Sequence, residues 1–98
     1  MTNYNGKKVL VRGIQSGVFF GILVDRNGQE VELKDCRNIW SWEGAKNLNE
    51  IAVDGISRLD RSRISMSVNS IILTDICEII PLSEKSIINL ESAKPWRV

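Results

Sequence analysis

The chain has no histidine and only two cysteines, Cys36 and Cys77. Without an imidazole there is no Ser-His or Cys-His pair to activate a nucleophile. The cysteines form no CxxC motif, and carboxylates alone beside them make a poor set for zinc. Nothing suggests a secreted disulfide framework. GxxxxGK[ST] and GxGxxG are both missing, so the usual phosphate-cradling loops are absent. No catalytic residue, metal or cofactor is expected.

A basic surplus is lacking too. Thirteen Lys and Arg stand against twelve Asp and Glu, a net charge of +1. A protein that grips a duplex by its phosphates carries a clear positive excess. Polymeric nucleic acid is therefore not an expected partner, whereas a small anion needs only two or three arginines. The opening MTNYNGKKVL lacks the apolar stretch of a signal peptide. No apolar run approaches the roughly 20 residues of a membrane span. The cytoplasm is the expected compartment, with no membrane contact.

What is present is an ordinary globular composition, 43% hydrophobic and 26% charged over 98 residues. That suits one domain over 1–98, with a polar tail at 1–6 and a C-terminal tail at 94–98. KKVLVRGI predicts a strand with Val9 and Val11 on one face and Leu10 and Ile14 on the other. VFFGILVD and EVEL predict two more strands, joined at Asn27-Gly28, a strong hairpin signal. Phe19 and Phe20 then face opposite ways. Asn47, with Glu50 three residues on, predicts the start of a short helix, and Gly55 its end. ISMSV predicts a strand with Ile64, Met66 and Val68 facing in. IILTDICEIIP predicts a central strand ended by Pro81. Ser83 predicts the N-cap of a second helix, with Leu82 and Ile87 at the spacing of a hydrophobic staple. The sum is α+β: a small, mostly antiparallel sheet of about five strands and two short helices, ordered βββ-α-ββ-α. So small a sheet has more apolar surface than two helices cover, and a homo-oligomer is expected, a two-fold dimer being the commonest kind.

The carboxylates Asp25, Glu30, Glu32 and Asp35 surround a hairpin and read as a solvated face. The segment CRNIWSWEGA carries the residues suited to recognition. If it is extended, Trp40 and Trp42 share a face, where indoles stack on a purine for roughly 1–3 kcal/mol per base. Arg37, Arg12 and Arg63 supply planar donors for phosphate. Gln15, Ser16 and Gly17 form a turn whose N–H groups and hydroxyl suit a phosphate or ribose. Phe20 is a candidate pocket wall, and Asn69 and Thr74 candidate readers of polar ligand edges. Each has a plainer role: Trp40 and Trp42 as core or interface, Arg37 as a surface ion pair, Arg63 as solvated loop, Gln15–Gly17 as a simple turn.

VRGIQSGVFFG, RNGQEVEL, CRNIWSWEGAKNLNEIA and ILTDICEII followed by SEK resemble the small phage proteins of the first Thoeris anti-defence class. The resemblance runs from Val11 to Glu84, and its most distinctive piece is IW-x-W-x-GA before a short helix. It implies a sponge. Such a protein binds the cyclic ADP-ribose isomers made by bacterial TIR-domain enzymes and withholds them from the effector without cleaving them. It implies dimers with pockets built from both chains, in some members a hexamer of three dimers. In some members it also implies capture of cyclic oligonucleotide signals at a separate site. Ile64 departs from the resemblance, which leads one to expect an aromatic residue in that strand. On this reading Trp40 or Trp42 stacks the adenine, Arg37 meets the diphosphate, and Gln15, Ser16 and Gly17 close the phosphate side. The alternative from the residues alone is a small oligomeric adaptor that uses its tryptophans as an interface.

Overall fold

Thr74 and Asp75 are all that separates two strands on opposite margins of the sheet, and the sheet curls to bring those margins together. The computed structural model describes residues 1–97. Six strands run β1 (Lys8–Gly13), β2 (Val18–Asn27), β3 (Glu30–Ser41), β4 (Arg63–Ile64), β5 (Val68–Leu73) and β6 (Ile76–Pro81). Helix α1 (Leu48–Asp54) and a 3-10 turn (Leu59–Arg61) lie between β3 and β4, and α2 (Glu84–Glu91) follows β6. The order is β4-β3-β2-β1-β6, with β5 also pairing β3, and every pairing is antiparallel. This is the expected α+β class, with six strands where five were counted.

The alternation in β1 makes two cores from one sheet. Val9 and Val11 face the concave side with Leu23, Val31, Leu33, Cys36, Leu73 and Ile76. Leu10 faces the other side, where Phe20, Ile39, Ile64, Ile51 of α1 and Leu90 of α2 are buried. Each such side chain contributes about 1.5–3 kcal/mol on burial, which the two short helices need in order to persist. Phe19 and Phe20 face opposite ways as expected, but neither is free: Phe20 is buried in one core and Phe19 packs, partly buried, against the other.

The helix ends follow their sequence signals. Asn47 Oδ1 accepts from the Glu50 N–H at 2.9 Å, and Gly55 closes α1 at φ 81°. Ser83 Oγ accepts from the Ser86 N–H at 3.0 Å to start α2. The helices are tied together by Ser86, fully buried, whose hydroxyl donates to the Ile51 carbonyl at 2.5 Å. Asn89 grips both backbone groups of Ile56, at 2.7 and 3.0 Å. The β2–β3 hairpin turns through Gly28 at φ 61°, as Asn27-Gly28 predicts.

Several expectations need correction. IILTDICEIIP is not one central strand: its halves are β5 beside β3 and β6 beside β1. The break falls where Asp75 leaves the ladder to accept three hydrogen bonds from the β1–β2 turn. ISMSV is not one strand: Ile64 ends β4, Val68 begins β5 opposite Cys36, and the three residues between them lie outside the ladder; Ile64 is buried, but Met66 and Val68 are exposed. There Ser65 Oγ accepts from the Asn38 N–H and donates to the Met66 carbonyl, a local arrangement that competes with the ladder. Ile14 lies beyond β1 and is exposed rather than facing with Leu10. The N-terminal residues are docked: Tyr4 packs on the concave core and the Gly6 N–H donates to Leu23 at 2.7 Å. The C-terminal tail is held as far as it is described, with the Trp96 N–H donating to Ile64 at 2.8 Å; residue 98 of that tail lies outside the described residues.

Candidate functional site

Strand β3 carries Ile39 into the helix-side core, and the next residue, Trp40, stands 62% exposed. Arg63 in β4, paired with Ser41, lies alongside it. The tail then delivers Trp96. The two indoles meet edge to face, 5.2 Å between centroids at 69°. The Arg63 guanidinium carbon sits 5.2 Å from the Trp40 ring and 4.7 Å from the Trp96 ring, within cation–π range of both. Asn38, Met66 and Arg97 complete a cleft of about 230 Å³. Neither Arg63 nor Arg97 has a carboxylate within ion-pair distance among the described residues. The result is an open aromatic platform with unneutralised positive charge.

Its membership differs from the sequence reading. Trp42 does not share a face with Trp40: it packs against the helix-side core, and its indole N–H donates to the Ala45 carbonyl at 3.3 Å. The cause is that β3 ends at Ser41, with a register shift between Ile39 and Ser41, so the i, i+2 rule for a strand no longer applies. The aromatic partner of Trp40 is Trp96, which sequence reasoning left on a tail. The signal was the placing of the third tryptophan between Lys94 and Arg97 in KPWRV.

Arg37 is also elsewhere. It lies in β3 on the helix side, its guanidinium 5.8 Å from the Phe20 ring centre. Nε donates to Ser65 at 2.7 Å, Nη1 to Leu90 at 3.3 Å and Nη2 to Ala93 at 2.8 Å, all backbone carbonyls. Leu90 and Ala93 lie at the end of α2, where unpaired carbonyls attract a cation. Arg37 is thus a clamp between β3 and the last turn of α2, not a phosphate arm beside Trp40. Desolvation lowers its pKa, partly offset by Glu91.

Gln15, Ser16 and Gly17 do form the expected turn, with Gly17 at φ 102°. Its donors, however, are engaged within the chain. The N–H groups of Gln15 and Ser16 donate to Asp75 Oδ2 at 2.6 and 2.8 Å, and Ser16 Oγ donates to Oδ1 at 2.6 Å. A carboxylate from the β5–β6 link occupies the place given to a phosphate. These bonds hold the Asp75 carboxyl below its ordinary pKa, the Ser16 hydroxyl contributing most. Phe20 is 4% exposed and mainly core. Asn69 and Thr74 are exposed, on β5 and in the β5–β6 link, away from the Trp40 cleft. Arg12 is paired with Glu78 at 2.6 Å, outside the cleft, and of all the candidates only Trp40 and Arg63 meet there. Ile64, where an aromatic was expected, points into the core at 1% exposed.

Fold and site together define a small antiparallel α+β domain with an indole–guanidinium platform at one end of its sheet. The chain belongs to the family of domains of unknown function DUF6948, whose pattern matches residues 6–90. No curated protein and no solved structure matches it.

Proposed function

We propose that the chain binds and sequesters a cyclic ADP-ribose-type nucleotide signal, made by a TIR-domain enzyme of a Thoeris system, and releases it unchanged. The single observation that carries this reading is the exposed Trp40 with Arg63 stacked against it and Trp96 beside it. A purine on the outer face of Trp40 gains roughly 1–3 kcal/mol, and Arg63 and Arg97 offer charge for a diphosphate. The segment resemblance that includes Trp40 supports the same ligand. The cleft of about 230 Å³ falls below the roughly 300–1,000 Å³ that encloses a small-molecule ligand. On this reading a second copy of the chain completes the pocket, and the resemblance adds the homo-oligomer, a dimer or a hexamer of three dimers, to the proposal. Capture of cyclic oligonucleotides at a separate site of that assembly, and a phage origin with action in the host cytoplasm, rest on the resemblance alone. The test is reversibility. The protein depletes the signal from solution, the complex is heat-denatured, and chromatography looks for the ligand. Intact signal supports sequestration; a fragment, or no depletion, ends the proposal.

A second reading has its own support. Trp40, Met66 and Trp96 are exposed together, and Trp, Met and Arg are favoured at protein interfaces. On that reading the chain is an oligomeric adaptor without a nucleotide. Trp40→Ala separates the two: loss of the oligomer, with no ligand bound by the parent protein at any stage, favours the adaptor.

A further inference from the structure

The largest departure from regular strand geometry borders a cavity away from the Trp40 cleft. Asp35 adopts φ 51°, the one non-glycine residue among those described with positive φ. Opposite it, the β2–β3 register shifts between Phe20 and Ile22, around Gly21. A Cβ on Gly21 would lie 2.9 Å from the Lys34 carbonyl oxygen and 3.1 Å from Cys36 Cα, so the bulge requires glycine there. Bulges re-aim side chains and are frequent beside functional sites. Asp35 and Gly21 both line a cavity of about 390 Å³ between this bulge and α2. That volume is within the range of small-molecule pockets.

The walls are apolar: Phe20, Ile22, Leu82, Ile87 and Pro95. Four charges stand on them, Lys8, Glu91, Arg37 and Asp35. Lys8 and Glu91 neutralise each other at 2.6 Å. Arg37 and Asp35 have no opposite charge within ion-pair distance among the described residues, Glu91 acting on Arg37 only from farther off. Arg37 spends three N–H donors on carbonyls and keeps two of its five. Asp35 keeps both carboxylate oxygens. Two unsatisfied charges of opposite sign above an apolar slot are the complement of a zwitterion with an apolar side chain. We propose that this cavity is a binding site for a free apolar α-amino acid, its carboxylate on Arg37, its ammonium on Asp35, and its side chain against Ile22, Ile87 and Leu82. This site is independent of the nucleotide reading, with which it shares only the wall residue Pro95.

Calorimetric titration of the intact protein with three probes of similar shape decides it: L-leucine, 4-methylpentanoate without the ammonium, and 3-methylbutylamine without the carboxylate. Leucine binds, and each singly charged analogue binds at least about tenfold more weakly, as the loss of one charge-assisted contact implies. Asp35→Asn keeps a residue that tolerates positive φ and brings leucine and 4-methylpentanoate to equal affinity. Ile87→Trp fills the slot and abolishes binding. The proposal is overturned if no probe binds at millimolar concentration, if the three bind alike, or if Ile87→Trp binds leucine as the parent does.

Discussion

Asp75 accepts both the backbone N–H and the hydroxyl of Ser16, at 2.8 and 2.6 Å, from 59 residues further along the chain. One carboxylate thereby fixes the β1–β2 turn to the β5–β6 link. The bonds favour the ionised form and depress the carboxyl pKa in the folded protein. The associated stability is therefore fully present above the unfolded value near about pH 4, and is lost as pH falls through the lower folded value. Asp75→Asn is less stable than the parent at neutral pH in urea denaturation. The gap closes as the pH is taken below the folded-state pKa. A gap that stays constant down to strongly acid solution would contradict the ionised cap.

Replacement of Arg37 tests the clamp on α2. Arg37→Met deprives the Ser65, Leu90 and Ala93 carbonyls of their donor and costs about 1.5–3 kcal/mol. The loss is read from the denaturation midpoint. Hydrogen exchange speeds up in α2 and at Ser65 while the β2–β3 hairpin is unaffected.

The two neighbouring tryptophans respond differently to truncation. Trp42→Ala removes a ring packed on the helix-side core and destabilises by about 2–4 kcal/mol, at the lower end for a partly exposed ring. Trp40→Ala removes a ring that is 62% exposed and shifts stability by about 0.5 kcal/mol or less; under the proposed function, nucleotide capture falls at least about tenfold. Equal stability losses in the two variants would mean that Trp40 is structural.

Thiol chemistry separates the cysteines. Cys36 is buried, and desolvation pushes its pKa up to about 11, so its reactive thiolate is scarce at neutral pH. Cys77 is exposed. Native protein titrated with an aromatic disulfide reagent gives one thiol quickly, lost in Cys77→Ser, and the second only on unfolding.

Local signals were the legible ones. Asn47, Gly55 and Ser83 mark helix ends because capping is settled within four residues, and Gly28 marks its hairpin for the same reason. The two-faced alternation of β1 was legible because both faces are buried. What stayed hidden depends on distant partners. Thr74-Asp75 looks like the middle of a strand until Asp75 meets Ser16. Arg37 looks like a partner of Trp40 until the end of α2 comes to rest on it, away from the Trp40 cleft. Trp40 and Trp42 look like a pair because periodicity cannot register that β3 stops between them. The partnership of Trp40 with Trp96 required knowing where the tail docks.

The pairing of Leu10 with Ile80 has a consequence for synthesis. Strand β1 waits for β6, made after β2 to β5, before its outer margin is covered. During translation β1 and β2 emerge early, with Val9, Val11 and Leu23 still lacking the Leu73 and Ile76 that seal their side of the core. Long-range closure of this sort is slow compared with helix formation. The nascent polypeptide therefore keeps apolar strand surface of β1 and β2 uncovered until β5 and β6 have been made.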